Sequence, residues 1–219
     1  MIDFELGPDV TGRVRIGLVV LEGVGVRERD PALDAEVDSA CASFRERYGG
    51  GKSSEVPGAA DARTLYKALG IDPTKTRPSN EALLRRALKG ETLYRINTLV
   101  DALNLVSLRS QLPFGLYDLD RVKPPVALRK GTAGEAYEGI RKGPVNVEGR
   151  PVLVDAEGPF GNPTSDSART MITLATRNAL VVAYAPAGYA TARLNDVLDT
   201  TAGTLVRFCG GASADRLVL

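Results

Sequence analysis

The amino-acid sequence predicts an α+β fold, in which a helix-rich first half packs on a mixed β-sheet from the second half. Two observations lead to this prediction. Apolar residues at helical spacing dominate the first half, whereas short runs rich in Val, Leu and Ile, with glycine-rich connections, dominate the second. The sheet could also be barrel-like, if its two edge strands pair with each other. With 219 residues and no internal repeat, we expect a single domain over 1–219.

The first half contains one predicted strand and four predicted helices. The run "RVRIGLVVL" at 13–21 is typical of a buried strand. Asp30 followed by Pro31 marks a helix start, because Asp caps free N–H groups and Pro is accepted at the first helical position. Gly49 ends that helix. Three further helices are expected at about 60–69, at 79–89 with Ser79 as the cap, and at 93–108.

The second half begins with a turn and a strand inside "LPFGLYDLDRV" at 112–122. A closing helix is expected at 191–208, because apolar residues recur there at helical spacing. Between these elements the sequence predicts four short strands, at 126–130, 151–155, 170–175 and 179–185.

Histidine is absent from the whole sequence. This absence excludes the commonest general base and the usual Ser-His and Cys-His nucleophile pairs. Cys41 and Cys209 are far apart and have no CxxC spacing, so the sequence gives no support for a metal site. We expect no cofactor, no membrane segment and no export signal, and therefore a cytoplasmic protein.

The segment "GPFGNPTSDSART" at 158–170 combines glycines and prolines with a dense run of hydroxyl groups. One interpretation is a loop that ends in a helix cap. The other is the wall of a binding site, since Gly158 and Gly161 let the backbone pass close to a ligand. The side chains that would then face the ligand are Thr164, Ser165, Asp166, Ser167 and Arg169.

The predicted helix at 93–108 carries polar residues on one face and apolar residues on another. Asn97, Asp101 and Asn104 follow one another at helical spacing. If their face borders a cleft, an amide and a carboxylate could orient a substrate and a water molecule. The alternative is that these side chains tie neighbouring loops to the helix by hydrogen bonds.

Basic residues are concentrated at 61–95, where eight bases face four acids. Basic faces of this kind follow a phosphate backbone, but solvated helix faces have the same composition. The best candidates for contacts with a nucleic-acid backbone are Arg77, Arg85, Arg86, Lys89 and Arg95.

Two stretches together resemble a known family. The segment 95–122, "RINTLVDALNLVSLRSQLPFGLYDLDRV", has a Val-Asp-x-x-Asn helix, a proline turn and an Asp-containing strand. The segment 158–173, "GPFGNPTSDSARTMIT", has a glycine-rich turn and a polar run. Both are similar to the editing domain of the bacterial phenylalanyl-tRNA synthetase beta subunit. The resemblance covers about 50–210 and is to stand-alone proteins made of this domain alone.

The resemblance implies a pocket that accepts the aminoacylated 3′ end of tRNA and hydrolyses a mischarged ester. Asn104 matches the family's pocket asparagine, and Leu103 stands where the synthetases often have threonine. Gly115 falls where they have the pocket histidine. The family's tyrosine-recognising glutamate is expected near 170–176, around Thr173, and no acid is present there.

Three functions follow as hypotheses, all with tRNA or an amino acid as partner. The first is hydrolysis of mischarged aminoacyl-tRNA in trans, using a positioned water and the candidate catalytic residues Asn104, Asp101 and Asp166. The second is a non-catalytic module that binds tRNA or another RNA, and the third is a small amino-acid-binding protein. For Asp166 we expect Arg169 to lower the carboxyl pKa, which would suit an orienting role.

Overall fold

The computed structural model describes residues 2–219, and these residues form an α+β fold with five α-helices. The α+β prediction is therefore confirmed. Four of these helices lie before β3, the strand at Phe114–Asp118, and one lies near the end of the chain. Their bounds are Pro31–Tyr48 (α1), Ala59–Ala68 (α2), Ser79–Leu88 (α3), Thr98–Ser110 (α4) and Thr191–Cys209 (α5).

Ten strands form three sheets within the described residues. One four-stranded sheet has the order β1-β4-β7-β8, the other has the order β10-β2-β9-β3, and β5 and β6 form a separate hairpin. In addition to β3, the strands are Phe4–Leu6 (β1), Val14–Glu22 (β2), Val126–Lys130 (β4), Ala136–Gly139 (β5), Gly143–Asn146 (β6), Pro151–Asp155 (β7), Gly158–Gly161 (β8), Ala179–Pro186 (β9) and Ala212–Val218 (β10).

The barrel expected as one form of the sheet is not found among residues 2–219. Each four-stranded sheet is open, with β10 and β3 at the edges of one and β1 and β8 at the edges of the other. A central strand, β2, also comes from the first half of the chain, where it pairs antiparallel with β9 from Val14 opposite Pro186 to Leu21 opposite Ala179.

The two larger parts of the hydrophobic core lie on opposite faces of the sheet that contains β2 and β9, and a third, small cluster contains Tyr137, Val147 and Val152. Val19 and Leu21 of β2 pack with residues of α1, α4 and α5. Leu18 and Val20 point to the other face and pack with residues of the second sheet. Because both faces are covered, β2 and β9 are continuous apolar runs instead of alternating ones.

A local sequence signal accounts for the start of α1, whereas α3 and α4 begin differently from the prediction. The Asp30 carboxylate accepts hydrogen bonds from the backbone N–H groups of Ala32 and Leu33, at 2.9 and 3.0 Å, as its capping position predicts. Ser79 is the first residue of α3 and not its cap, because Pro78 holds that position. The helix predicted from residue 93 begins only at Thr98, after an irregular segment at 91–97.

Two predictions about the 158–175 region are wrong. Residues 170–175 form no strand, and 158–161, predicted to be irregular, form β8. The turn that follows β8 is irregular, and the chain then runs along β3, where the backbone N–H of Asp118 donates to the carbonyl of Thr170 at 2.8 Å. This path brings the polar run toward the helix α4.

None of the helices in the described part of the chain is long and apolar enough to cross a membrane.

Candidate active site

A cavity of about 1050 Å³ lies between α4, β3 and the segment 162–174. Its polar wall contains Asn97, the N-cap residue of α4, and Asn104, within α4. The segment 162–174 adds Thr164, Ser165, Asp166 and Thr173. Much of the remaining lining is apolar and includes Val100, Leu103, Phe114, Leu116 and Met171. A cavity with an apolar floor and a few convergent polar groups is the usual form of a small-molecule site.

Asn104 presents an unused amide to this cavity. The residue is half-buried on α4, one helical turn after Val100. Within residues 2–219 no protein group forms a hydrogen bond with its side chain, whereas other polar side chains of the helix are engaged locally, such as Ser107, which donates to the carbonyl of Leu112 at 2.7 Å. The Asn104 amide is therefore available to donate to, or accept from, a bound molecule.

A closed turn positions Asp166. The side chain of Asn162 accepts hydrogen bonds from the backbone N–H groups of Thr164 and Ser165, at 2.8 and 2.9 Å. The backbone N–H of Asn162 donates to the carbonyl of Ser165 at 3.0 Å, and Asp166 then pairs with Gly161 in an antiparallel bridge. The Asn-Pro pair at 162–163 is a typical turn signal, and it fixes where the carboxylate projects.

Desolvation raises the pKa of the Asp166 carboxyl from 3.8 to about 7. The residue keeps partial exposure because it faces the cavity, while protein surrounds the carboxyl group on its other sides. Tyr117 and Lys142 act in the opposite direction and favour the ionised form. A carboxyl group that titrates near neutral pH can accept or donate a proton during a reaction.

The expectation that Arg169 lowers the pKa of Asp166 is wrong. Arg169 forms a bidentate ion pair with the buried carboxylate of Asp155, at 2.9 and 3.0 Å, and also contacts the Glu157 carboxylate at 3.1 Å. Its guanidinium group lies outside the cavity lining. Arg169 therefore connects the start of this segment to the end of β7, and leaves the Asp166 carboxyl without that neutralising charge.

Asp101 and Asn97 are engaged in local hydrogen bonds at the start of α4. Asn97 caps the helix by accepting from the backbone N–H of Val100 at 3.0 Å, and its side chain also borders the cavity. Asp101 is buried, accepts from the backbone N–H of Ile96 at 3.0 Å, and does not line the cavity. Burial raises the pKa of the Asp101 carboxyl. The structure thus separates Asp101 from Asn104 and Asp166.

Several other residues predicted to bind substrate also lie outside the cavity lining. Gly115 is on β3, on the face opposite the cavity-lining Leu116. Ser167 is buried and its hydroxyl pairs with that of Thr170 at 3.0 Å. Gly158 and Gly161 belong to β8, behind the turn that carries Asp166. Thr164, Ser165 and Thr173 do border the cavity.

Residues 61–214 match the family model described as the B3/4 domain. The chain belongs to the B3/4 domain family. The predicted resemblance to the phenylalanyl-tRNA synthetase beta-subunit type of domain is confirmed by this match.

Among solved structures, the B3/4 chain is similar to an N-terminal fragment of the phenylalanyl-tRNA synthetase beta-subunit from Pyrococcus horikoshii. The two are 15% identical, with a TM-score of 0.49. The match covers 96% of this chain and 50% of the fragment, so the chain spans half the length of that relative. No protein with a curated description matches the chain.

Most of the predicted tRNA-binding residues of the B3/4 domain already contact acidic residues. Arg95 lies at the cavity and pairs with Asp34 at 2.9 Å and with Asp38 at 2.7 Å. The others with acidic neighbours are Arg77 (Glu81, 4.0 Å), Arg86 (Glu91, 3.1 Å) and Lys89 (Glu91, 3.9 Å). Arg85 is half-buried on α3 and has no acidic partner among the described residues.

Sequence reasoning did not identify three cations beside the cavity. Arg29 and Arg141 line it, and the ammonium group of Lys142 donates to the Ser165 hydroxyl at 3.3 Å. Nothing in the local sequence indicates that the turn with Arg141 and Lys142 packs beside Asp166. Residues 2–219 hold no cluster of three acidic, Cys or His side chains suited to a metal ion.

Proposed function

We propose that this B3/4 domain acts on tRNA and hydrolyses mischarged aminoacyl-tRNA in trans. The observation that carries the proposal is the joint presence, in one cavity, of Asp166 with a pKa of about 7 and of Asn104 with an unused amide. The family match supports a tRNA-related role, since the domain is of the phenylalanyl-tRNA synthetase beta-subunit type.

The reaction needs a base, an oxyanion stabiliser and little else, because an aminoacyl ester is already activated. Asp166 takes a proton from a water molecule as the oxygen of that water attacks the ester carbonyl carbon. The Asn104 amide donates to the carbonyl oxygen as negative charge develops there. The tetrahedral intermediate then collapses, the bond to the ribose oxygen breaks, and Asp166 returns the proton to that oxygen.

The shape and chemistry of the cavity suit an apolar aminoacyl group. Leu103, Leu116 and Met171 offer the side chain an apolar floor, while Asn104 and Asp166 supply polar contacts at the ester. The volume of about 1050 Å³ exceeds what an amino acid needs, so space remains for the terminal ribose and base.

The entrance supplies contacts for RNA. Ile96 and Leu174 line the cavity and are 57% and 46% exposed, which gives apolar surfaces on which a terminal base can pack. Arg141 also lines the cavity, has no acidic partner among the described residues and can approach phosphate groups, whereas Arg29 is already paired with Asp34 at 2.6 Å. Arg85 on α3 is a further backbone contact in this proposal.

The direct test is deacylation of a panel of aminoacyl-tRNAs by the purified protein. The panel carries apolar, polar and charged amino acids, each attached to its cognate tRNA and to a non-cognate tRNA. We expect faster hydrolysis of at least one mischarged ester with an apolar side chain. Hydrolysis of every ester at the spontaneous rate would refute the proposal. Salt-sensitive binding of uncharged tRNA without turnover would instead support a non-catalytic RNA-binding module.

A further inference from the structure

We propose that Tyr117, backed by Tyr184, is a positioning residue that holds the ionised Asp166 carboxylate toward the cavity. Neither tyrosine lines the cavity itself, so both act through Asp166. The catalytic meaning of this inference depends on the proposed function, whereas the contact between the tyrosines and the carboxylate does not.

Two glycines make room for the Tyr117 hydroxyl. Gly115 precedes Tyr117 by two residues on the same face of β3, and Gly161 lies on β8 in the opposite sheet. A Cβ atom at either position would overlap the Tyr117 hydroxyl. Since Gly161 pairs directly with Asp166, this space places the hydroxyl beside the residue that we propose as the base.

The hydroxyl groups of Tyr117 and Tyr184 have no hydrogen bond of normal geometry within the described chain, although both side chains are fully buried. A buried hydroxyl without a partner costs about 1–3 kcal/mol. Phenylalanine would fill the same space without that cost. Both hydroxyls are therefore available to donate within this site, and the Asp166 carboxyl lies beside the Tyr117 hydroxyl.

Two other tyrosines hold the backbone of the same turn. Tyr66 donates to the carbonyl of Pro163 at 2.8 Å, and Tyr137 donates to the carbonyl of Ser165. Four of the seven tyrosines in the sequence thus surround the segment that carries Asp166. Tyr66 and Tyr137 fix the backbone, while Tyr117 and Tyr184 face the carboxyl group.

In this proposal the ionised Asp166 carboxylate is the acceptor for these hydroxyls, in line with the effect of Tyr117 on the Asp166 pKa. The Tyr117 hydroxyl donates to the new carboxylate, and the Tyr184 hydroxyl donates to the oxygen of Tyr117. A hydrogen bond to the charged form favours that form. The other titratable or charged groups that face this position are Tyr137 from β5, Tyr66 from α2, and Arg141 and Lys142 from the β5–β6 turn.

The experiment measures the pKa of Asp166 by NMR titration of ¹³C-labelled aspartate, with Asp166→Asn used to assign its signal. We expect Tyr117→Phe to raise this pKa by about one unit, because a donor to the charged form is lost. Tyr184 is one hydrogen bond further from the carboxylate, so Tyr184→Phe should raise the Asp166 pKa by less. The matched control is Tyr189→Phe, which also removes a buried hydroxyl without a hydrogen bond but lies beside Arg193.

The outcomes separate this inference from the proposed function. If Tyr117→Phe raises the pKa and Tyr189→Phe does not, the positioning role stands even if no tRNA is deacylated. Where deacylation occurs, the acidic limb of the rate profile should move to higher pH in Tyr117→Phe, with recovery of the rate above the new pKa. An unchanged Asp166 pKa in both Tyr117→Phe and Tyr184→Phe overturns the inference, and Tyr184→Phe alone decides it if Tyr117→Phe does not fold.

Discussion

Replacing Asp166 with asparagine should stabilise the protein, and increasingly so as the pH rises. The folded-state pKa of about 7 lies above the usual value of 3.8, so burial of the charged form opposes folding. Between about pH 5 and pH 7 the unfolded chain has released this proton and the folded chain retains it. The wild-type stability therefore falls by ~1.4 kcal/mol per pH unit in that interval, and by roughly 2.5 kcal/mol across it.

Asparagine has nearly the same shape and no charge, so the Asp166→Asn variant lacks this loss. The background is favourable, because the sequence contains no histidine and burial raises the pKa of both cysteines. Urea unfolding of the two proteins at about pH 5, pH 6, pH 7 and pH 8 gives the difference directly. Parallel stability profiles for wild type and variant would show that Asp166 does not titrate near neutrality, and the reasoning about its environment would be refuted.

Three further predictions concern α4 and the basic surface. Asn104→Ala should slow deacylation at least ~10-fold, as loss of a positioning group does, and a normal rate would contradict this role. Its midpoint of thermal unfolding should stay close to that of the wild type, because the Asn104 side chain forms no hydrogen bond with a described residue. Asp101→Ala should lower the free energy of unfolding by about 1–2 kcal/mol through loss of the hydrogen bond to Ile96, measured in urea, and an unchanged stability contradicts it. Arg85→Ala with Arg86→Ala should weaken tRNA binding and reduce its salt dependence, with little effect on the rate at saturating substrate; unaltered binding places the RNA elsewhere.

Local signals in the sequence predict much of the fold. Asp30 and Pro31 mark the start of α1, and the strands predicted at 126–130 and 151–155 have the same bounds as β4 and β7. Asp30 is a clear cap, and proline or glycine bounds both short apolar strands, so these elements have strong local signals. The strand β10 lacks such a signal, because its polar and charged residues mask the pairing with β2.

The candidate site depends on contacts between distant segments, which local signals do not specify. The position of Asp166 in a polar run made it a candidate, but its environment comes from Tyr117, Tyr184 and Lys142 on other elements. The pairing of Arg169 with Asp155 instead of Asp166 is likewise set by the packing of β7 against the following segment. Sequence proximity therefore gave the wrong sign for the pKa shift of Asp166.

The most direct test of the central claim is single-turnover deacylation by wild type and Asp166→Asn on the same mischarged aminoacyl-tRNA, at neutral pH and saturating protein. We expect the variant to be slower by about 10²-fold or more, because the base is lost while the cavity keeps its shape. Asp196→Asn, an exposed carboxylate on α5, is the matched control and should retain the wild-type rate. Equal rates for wild type and Asp166→Asn, with both proteins folded, would contradict the assignment of Asp166 as the base.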